Sequence, residues 1–157
     1  MRICLLDLNK FEVTGETTYL IHMRPSLIKL GLDAEIVVCS PLGKRGKYNS
    51  NYTEGVTWVK DKNVLEYISQ FDVIHVNNGR FGEKEYKFLQ GFDEIKKIKT
   101  MQIHGVTQST GYSMPVLIDI VKPKALFNVD PNGVVEYKKL HKDVTWVELH
   151  LYVARPK

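Results

Sequence analysis

MRICLLDLNKFEVTGETTYLIHMRPSLIKLGLDAEIVVC, residues 1–39, reads as strand, polar loop, helix and strand in succession. Arg2 to Asp7 is a short apolar run that ends in an acid, and Ala34 to Cys39 is a second run of the same kind. Hydrophobicity that is continuous rather than alternating marks strands buried on both faces, the pattern of a parallel sheet. Between the two runs, 16–30 has helical spacing. Tyr19, Leu20, Met23, Leu27 and Leu30 recur on one face, and the run stops at Gly31, a residue suited to a left-handed C-terminal cap. Pro25 falls inside that helix, where its missing N–H is expected to kink it.

The pattern recurs along the chain. Apolar runs at 72–76 (DVIHV), 99–104 (KTMQIH), 124–129 (KALFNV) and 143–147 (DVTWV) alternate with helical spacing at 62–70, 83–97, 114–121 and 132–140. Such alternation predicts right-handed βαβ units and an α/β fold with a doubly wound, mostly parallel, Rossmann-like sheet. The chain has 157 residues, 43% of them hydrophobic. A domain of that size buries about two-thirds of its unfolded-chain surface, so one core suffices. The domain is expected to span 1–148, and 149–157, a polar-apolar tail with no helix pattern, to begin an interdomain linker.

Two cysteines, Cys4 and Cys39, are too few for a disulfide framework and sit in strand-like runs, so they read as buried free thiols in a reducing compartment. No stretch approaches the roughly 20 apolar residues of a membrane span. A soluble, cytoplasmic protein is expected. The net charge of +4 permits an anionic partner without matching a dedicated nucleic-acid-binding tail. The densest basic stretch is Gly43 to Tyr52, with Lys44, Arg45 and Lys47 among glycines and asparagines. It reads either as a solvated loop or as one that touches a polyanion.

In an open parallel sheet, ligands bind at the carboxyl ends of the strands, where the strand order reverses. That rule selects the loops 8–15, 40–55, 77–82, 105–113 and 129–132. The first leads into a helix through Thr14, Gly15 and Glu16. Thr14 and Gly15 suit either a cap or a phosphate at the helix N-terminus, and Glu16 either the helix dipole or sugar hydroxyls. The fourth strand delivers Asn77, Asn78, Gly79 and Arg80, which form either an Asn-Gly turn or a set of amide and guanidinium donors for hydroxyls and phosphates. The fifth strand ends in His104 and Gly105, a histidine able to hydrogen-bond a hydroxyl beside a glycine that allows close approach, or else an ordinary rim histidine. His75 lies mid-strand and is expected to be packed inside.

Several chemistries have no support. The first loop has one glycine where a dinucleotide fingerprint needs three, and the second strand ends in Cys39-Ser40-Pro41 without a ribose-binding acid. Gly43-Lys44-Arg45 lacks the spacing of a P-loop. The cysteines lack zinc spacing, no Gly-x-Ser-x-Gly elbow occurs, and Asp7 stands without the neighbouring acids of a phosphoacceptor site.

The order MRICLL, Thr14-Gly15-Glu16-Thr17, a helix ending Lys29-Leu30-Gly31-Leu32, the strand 34–39, Asp72 to Asn77 and Gln102-Ile103-His104-Gly105 resembles nucleotide-sugar glycosyltransferases of the GT-B fold. The likeness covers essentially the whole chain. Within that group it is most similar to the α-linking DNA glucosyltransferases of T-even bacteriophages, through Met1-Arg2-Ile3-Cys4, Gly15-x-Thr17 at the helix start, and Asn132-Gly133 before Val134 to Tyr137. The resemblance implies glucose transfer from a UDP-sugar to hydroxymethylcytosine in DNA, with no tightly bound cofactor. The present chain would be the N-terminal, acceptor-binding half, in the host cytoplasm if phage-encoded. A C-terminal donor-binding domain, of the same chain or a partner, would complete the enzyme. Thr14, Gly15, Glu16 and Gly105 would approach the donor, His104 would face the transferred sugar, and Asn78, Gly79, Arg80, Lys44, Arg45 and Lys47 would face the acceptor. The chain departs from the wider family at Val13-Thr14-Gly15, where two adjacent glycines are common. The alternative is a non-catalytic binding module, viral or cytoplasmic, on the same scaffold.

Overall fold

The computed structural model describes residues 1–7, 15–39, 54–59, 61–77, 90–103, 120–128 and 145–148. In chain order the elements are β1 (Arg2–Asp7), α1 (Gly15–Lys29), β2 (Asp33–Cys39), β3 (Val56–Val59), α2 (Asp61–Ile68), β4 (Val73–Asn77), a 3₁₀ turn (Gly91–Glu94), β5 (Ile98–Ile103), β6 (Ala125–Asn128) and β7 (Thr145–Glu148). The strands form one sheet in the order β3-β2-β1-β4-β5-β6-β7, and every pairing is parallel. The chain therefore steps outward from β1 to β3, returns to β4 on the other side of β1, and steps outward again to β7. Strand order reverses between β1 and β4, as in a Rossmann-like sheet.

Six of these strands stand where continuous hydrophobicity places them. The seventh, β3, was not anticipated; it is four residues long and half-buried throughout, an edge strand without the buried apolar run that marks the others. The expected helix over 83–97 is corrected at its end: Gln90, its first described residue, is helical, but the helix does not run on to 97. Gly91–Glu94 makes one 3₁₀ turn, Ile95 is already extended, and β5 begins at Ile98. Buried Phe92 and Ile95, three residues apart, suit a 3₁₀ turn as well as an α-helix. Lysine ammonium groups close the turn at its carbonyl end, Lys99 Nζ on Phe92 O at 2.8 Å and Lys96 Nζ on Asp93 O at 3.1 Å.

α1 ends as its sequence predicts. Gly31 has φ +83°, its N–H donates to Ile28 O (2.9 Å), and the Leu32 N–H donates to Leu27 O (3.1 Å), a Schellman cap. The cap also corrects one expectation. Leu30 lies beyond the last helical turn and is 75% exposed, while Leu27 and Leu32 pack on the sheet instead. Pro25 is inside the helix, as expected, with Ser26 Oγ donating to His22 O one residue later (3.1 Å). Arg24 ties α1 to the sheet edge through Nε to Ala34 O (2.9 Å), and its guanidinium lies against Gly55, which has φ +68°.

Each face of the sheet carries its own apolar cluster. The α1 face buries Ile3, Leu5, Ala34, Ile36 and Val38 under Leu20. The α2 face buries Cys4, Leu6, Val37, Cys39, Ile74, Val76 and Met101 under Val64, Ile68, Phe71 and Phe92. Each large side chain so buried contributes about 1.5–3 kcal/mol. Both cysteines are buried free thiols, as expected. No helix among the described residues is long and apolar enough to cross a membrane. The proposed linker, 149–157, lies outside the described residues.

Candidate functional site

The strand registers bring a row of polar residues to the carboxyl edge. Asp7 of β1 pairs with Asn77 of β4, which pairs with Gln102 of β5, and one step on Asn128 of β6 pairs with Glu148 of β7. β1 and β4 flank the point where strand order reverses, so their tips, Asp7 and Asn77, open onto the crevice where this architecture takes ligands.

On the α1 face the polarity continues below the tips. Along β1 the α1 face carries Ile3, Leu5 and then Asp7; along β4 it carries Val73, then His75 and Asn77, with Thr100 of β5 in register beside His75. Asp7, His75 and Asn77 are each 1% exposed. α1 covers them with Thr17, equally buried in its first turn, and with Tyr19, whose ring centroid lies 6.0 Å from that of His75. His75 Nδ1 and Thr100 Oγ1 are hydrogen-bonded at 2.7 Å, which joins β4 to β5 through side chains as well as through the ladder.

Burial sets the ionisation of this layer. It pushes the His75 imidazole down to about 4 and the Tyr19 phenol up to about 12, so both are neutral near pH 7 and act through hydrogen bonds and packing. Asp7 is the one acid among the described residues buried to this degree. Burying polar groups costs roughly 1–3 kcal/mol each unless hydrogen bonds compensate, so a concentration of them at the carboxyl corner of one face points to function.

Gly15 opens α1 and Glu16 follows it in the first turn, so the expected helix N-terminus does follow β1. β4 ends at Asn77, directly before Asn78, Gly79 and Arg80, and β5 ends at Ile103, directly before His104 and Gly105. Those five residues, with Thr14, Lys44, Arg45 and Lys47, lie outside the described residues. His75 is packed inside, as its mid-strand position suggests, but its bond to Thr100 and the neighbouring Asp7, Thr17 and Tyr19 were not foreseen as a layer. A signal was present in Val73-Ile74-His75-Val76-Asn77, where polar residues alternate with apolar ones in a doubly covered strand. Among the described residues, no group of three His, Cys, Asp or Glu side chains is placed to hold a metal ion.

No protein-family model and no curated protein matches the sequence. Solved structures match the fold. An α-glucosyltransferase in complex with UDP and a 13-mer DNA containing a HMU base superposes with a TM-score of 0.71 at 15% identity, covering 94% of this chain and 41% of that one. The α-glucosyltransferase in complex with UDP-glucose and DNA containing an abasic site gives 0.68 at 15% identity, covering 96% and 42%. A complex with UDP alone gives 0.66 at 14% identity, covering 92% and 40%. The chain thus spans about two-fifths of the length of the structures it matches. What it shares with them is the architecture, a Rossmann-like α/β domain similar to the N-terminal part of an α-glucosyltransferase.

Proposed function

We propose that the chain is the acceptor-side domain of a nucleotide-sugar-dependent glycosyltransferase of the GT-B type, acting on hydroxymethylated pyrimidines in bacteriophage DNA. The observation that carries this reading is the buried polar layer at the strand-order reversal of a fold shared with α-glucosyltransferase solved with UDP and DNA. In this proposal Thr14, Gly15 and Glu16 meet the donor phosphates and sugar at the start of α1, and Gly105 lets the donor approach closely. Asn78, Gly79 and Arg80 hold the acceptor base, and Lys44, Arg45 and Lys47 contact DNA phosphates. His104 faces the transferred glucose. A donor-binding domain completes the cleft, and the nucleotide sugar is a substrate rather than a resident cofactor.

The acceptor hydroxyl oxygen bonds to the sugar C1, the C1–O bond to UDP breaks, and the hydroxyl proton is released. This domain supplies positioning and stabilisation of the departing diphosphate rather than a carboxylate pair. The test is transfer from UDP-glucose to a duplex containing a hydroxymethylpyrimidine, comparing the intact protein with His104→Ala. The proposal expects transfer by the first and a loss of at least about a hundredfold in the second. DNA affinity should also fall with salt with a log–log slope of about −3 if the three basic loop residues neutralise phosphates. Binding that is indifferent to salt rejects DNA as the acceptor, and DNA binding without transfer favours the binding-module reading.

A further inference from the structure

We propose that His75 is a positioning residue for the carboxyl edge, acting through Thr100 to fix the tips of β4 and β5 relative to each other. In so far as it concerns catalysis, this inference rests on the function proposed above.

The geometry singles out this pair. β4 and β5 are the strands whose tips lead directly into Asn78 and His104, and His75 and Thr100 are register partners two and three residues before those tips. Their side chains meet at 2.7 Å, so the two strands are held together twice, by the ladder and across the α1 face. The Tyr19 ring, one helical turn into α1, packs 6.0 Å from the imidazole and extends the tie to the helix that follows β1. One buried ring on β4 thereby touches two further elements, β5 and α1, that border the carboxyl edge.

An apolar side chain would serve packing alone at least as well. On the opposite face of the same strands Ile74, Val76 and Met101 are apolar and fully buried, and the fourth flanking residue, Lys99, directs its ammonium to Phe92 O (2.8 Å) instead of across the strands. Apolar contacts are non-directional and tolerate small slides, whereas a hydrogen bond of 2.7 Å between an imidazole and a hydroxyl sets distance and angle. Retaining a histidine at a fully buried position therefore favours fixed geometry over stability. Burial also keeps the ring neutral, so a single tautomer can face Thr100.

The mildest test is Thr100→Val, which removes the hydroxyl and keeps the shape. Read by amide hydrogen exchange in the full chain, it should speed exchange about tenfold at Asn77, Gln102 and Ile103 while leaving Ile36 to Val38 of β2 unchanged. Thr100→Ser should restore protection. His75→Asn, which keeps a polar atom near the position of Nδ1, should retain more protection than His75→Leu. For transfer by the intact enzyme, Thr100→Val should lower kcat about tenfold and leave the KM for UDP-glucose within about twofold. Uniform acceleration across the sheet, no change at the tips, or failure of Thr100→Ser to restore protection overturns the proposal. Selective loosening of the tips in a protein that transfers no glucose upholds the positioning role and rejects the glycosyltransferase reading, so the two failures are distinct.

Discussion

The two faces of the sheet are equally buried at the carboxyl end and chemically opposite. On the α2 side Leu6, Val76 and Met101 stay apolar up to the tips and the charged residues Glu35 and Lys99 sit in the amino-terminal half, whereas on the α1 side Asp7, His75, Asn77 and Thr100 replace the aliphatic residues found lower on the same strands. Burial alone does not select polar residues, and helix cover is common to both faces. What differs is that the polar corner adjoins the tips of β1, β4 and β5 and the first turn of α1, where ligands enter such a sheet. The α2 face supplies stability, and in the proposed function the α1 corner gives up some of it to hold a site.

Making the α2 face resemble the α1 corner should have the largest effect. Val76→Asn sets an amide into the apolar layer beside Met101 and should destabilise the domain by about 3–5 kcal/mol in urea unfolding. The same group one residue later, Asn77, is native.

The next effect comes from pH. His75 ionises near 4 when folded and at its ordinary 6.5 when unfolded, so below pH 6.5 the unfolded chain takes up a proton that the folded chain refuses. Stability is complete above pH 6.5 and declines as pH falls toward 4, by about 3 kcal/mol in all. The carboxyls of Asp72 and Asp93 are held below their usual 3.8, Asp72 mainly by the Arg2 backbone N–H and Asp93 by Lys122, so they add losses only at still lower pH. His75→Phe should flatten the decline between pH 6.5 and 4, whereas an unchanged slope would show that the imidazole is not buried neutral.

A substitution that touches neither face should have the smallest effect on stability. Gly31→Ala meets no atom within 4 Å, so only the positive φ resists it, and the cost should be about 1 kcal/mol in thermal or chemical unfolding. The α2 face should also be chemically closed. Burial, and then the charge of Glu35, raises the Cys4 thiol, so a thiol reagent should label Cys4 only as fast as the domain unfolds.

Much of the fold was legible because its strands are buried on both faces and therefore continuously apolar; β1, β2, β4 and β5 needed no more than that. β3 escaped because Val56–Val59 is half-buried at an edge, where the hydrophobic signal is weak. Leu30 was misplaced because helical periodicity continues in sequence past the point where the Gly31 cap turns the chain away. The rule for strand ends leads to the segments that start at Asn78 and His104, which lie outside the described residues. The buried polar layer was not legible. His75 and Thr100 are 25 residues apart, and only the register of β4 against β5 makes them neighbours. Asp7 looked isolated in sequence for the same reason, since Asn77 joins it only across β1 and β4.

In the proposed function, ligand binding falls at the carboxyl edge, over the polar corner. Its most direct test is a backbone amide chemical-shift titration of the chain with UDP-glucose and with a 13-mer duplex containing a hydroxymethyluracil base. Shifts should concentrate at Asp7, Gly15 to Thr17, Asn77 and Gln102, with the amino-edge residues Arg2, Asp33, Asp72 and Ile98 unmoved. Shifts gathered at the amino edge, or none with either ligand at millimolar concentration, would contradict it.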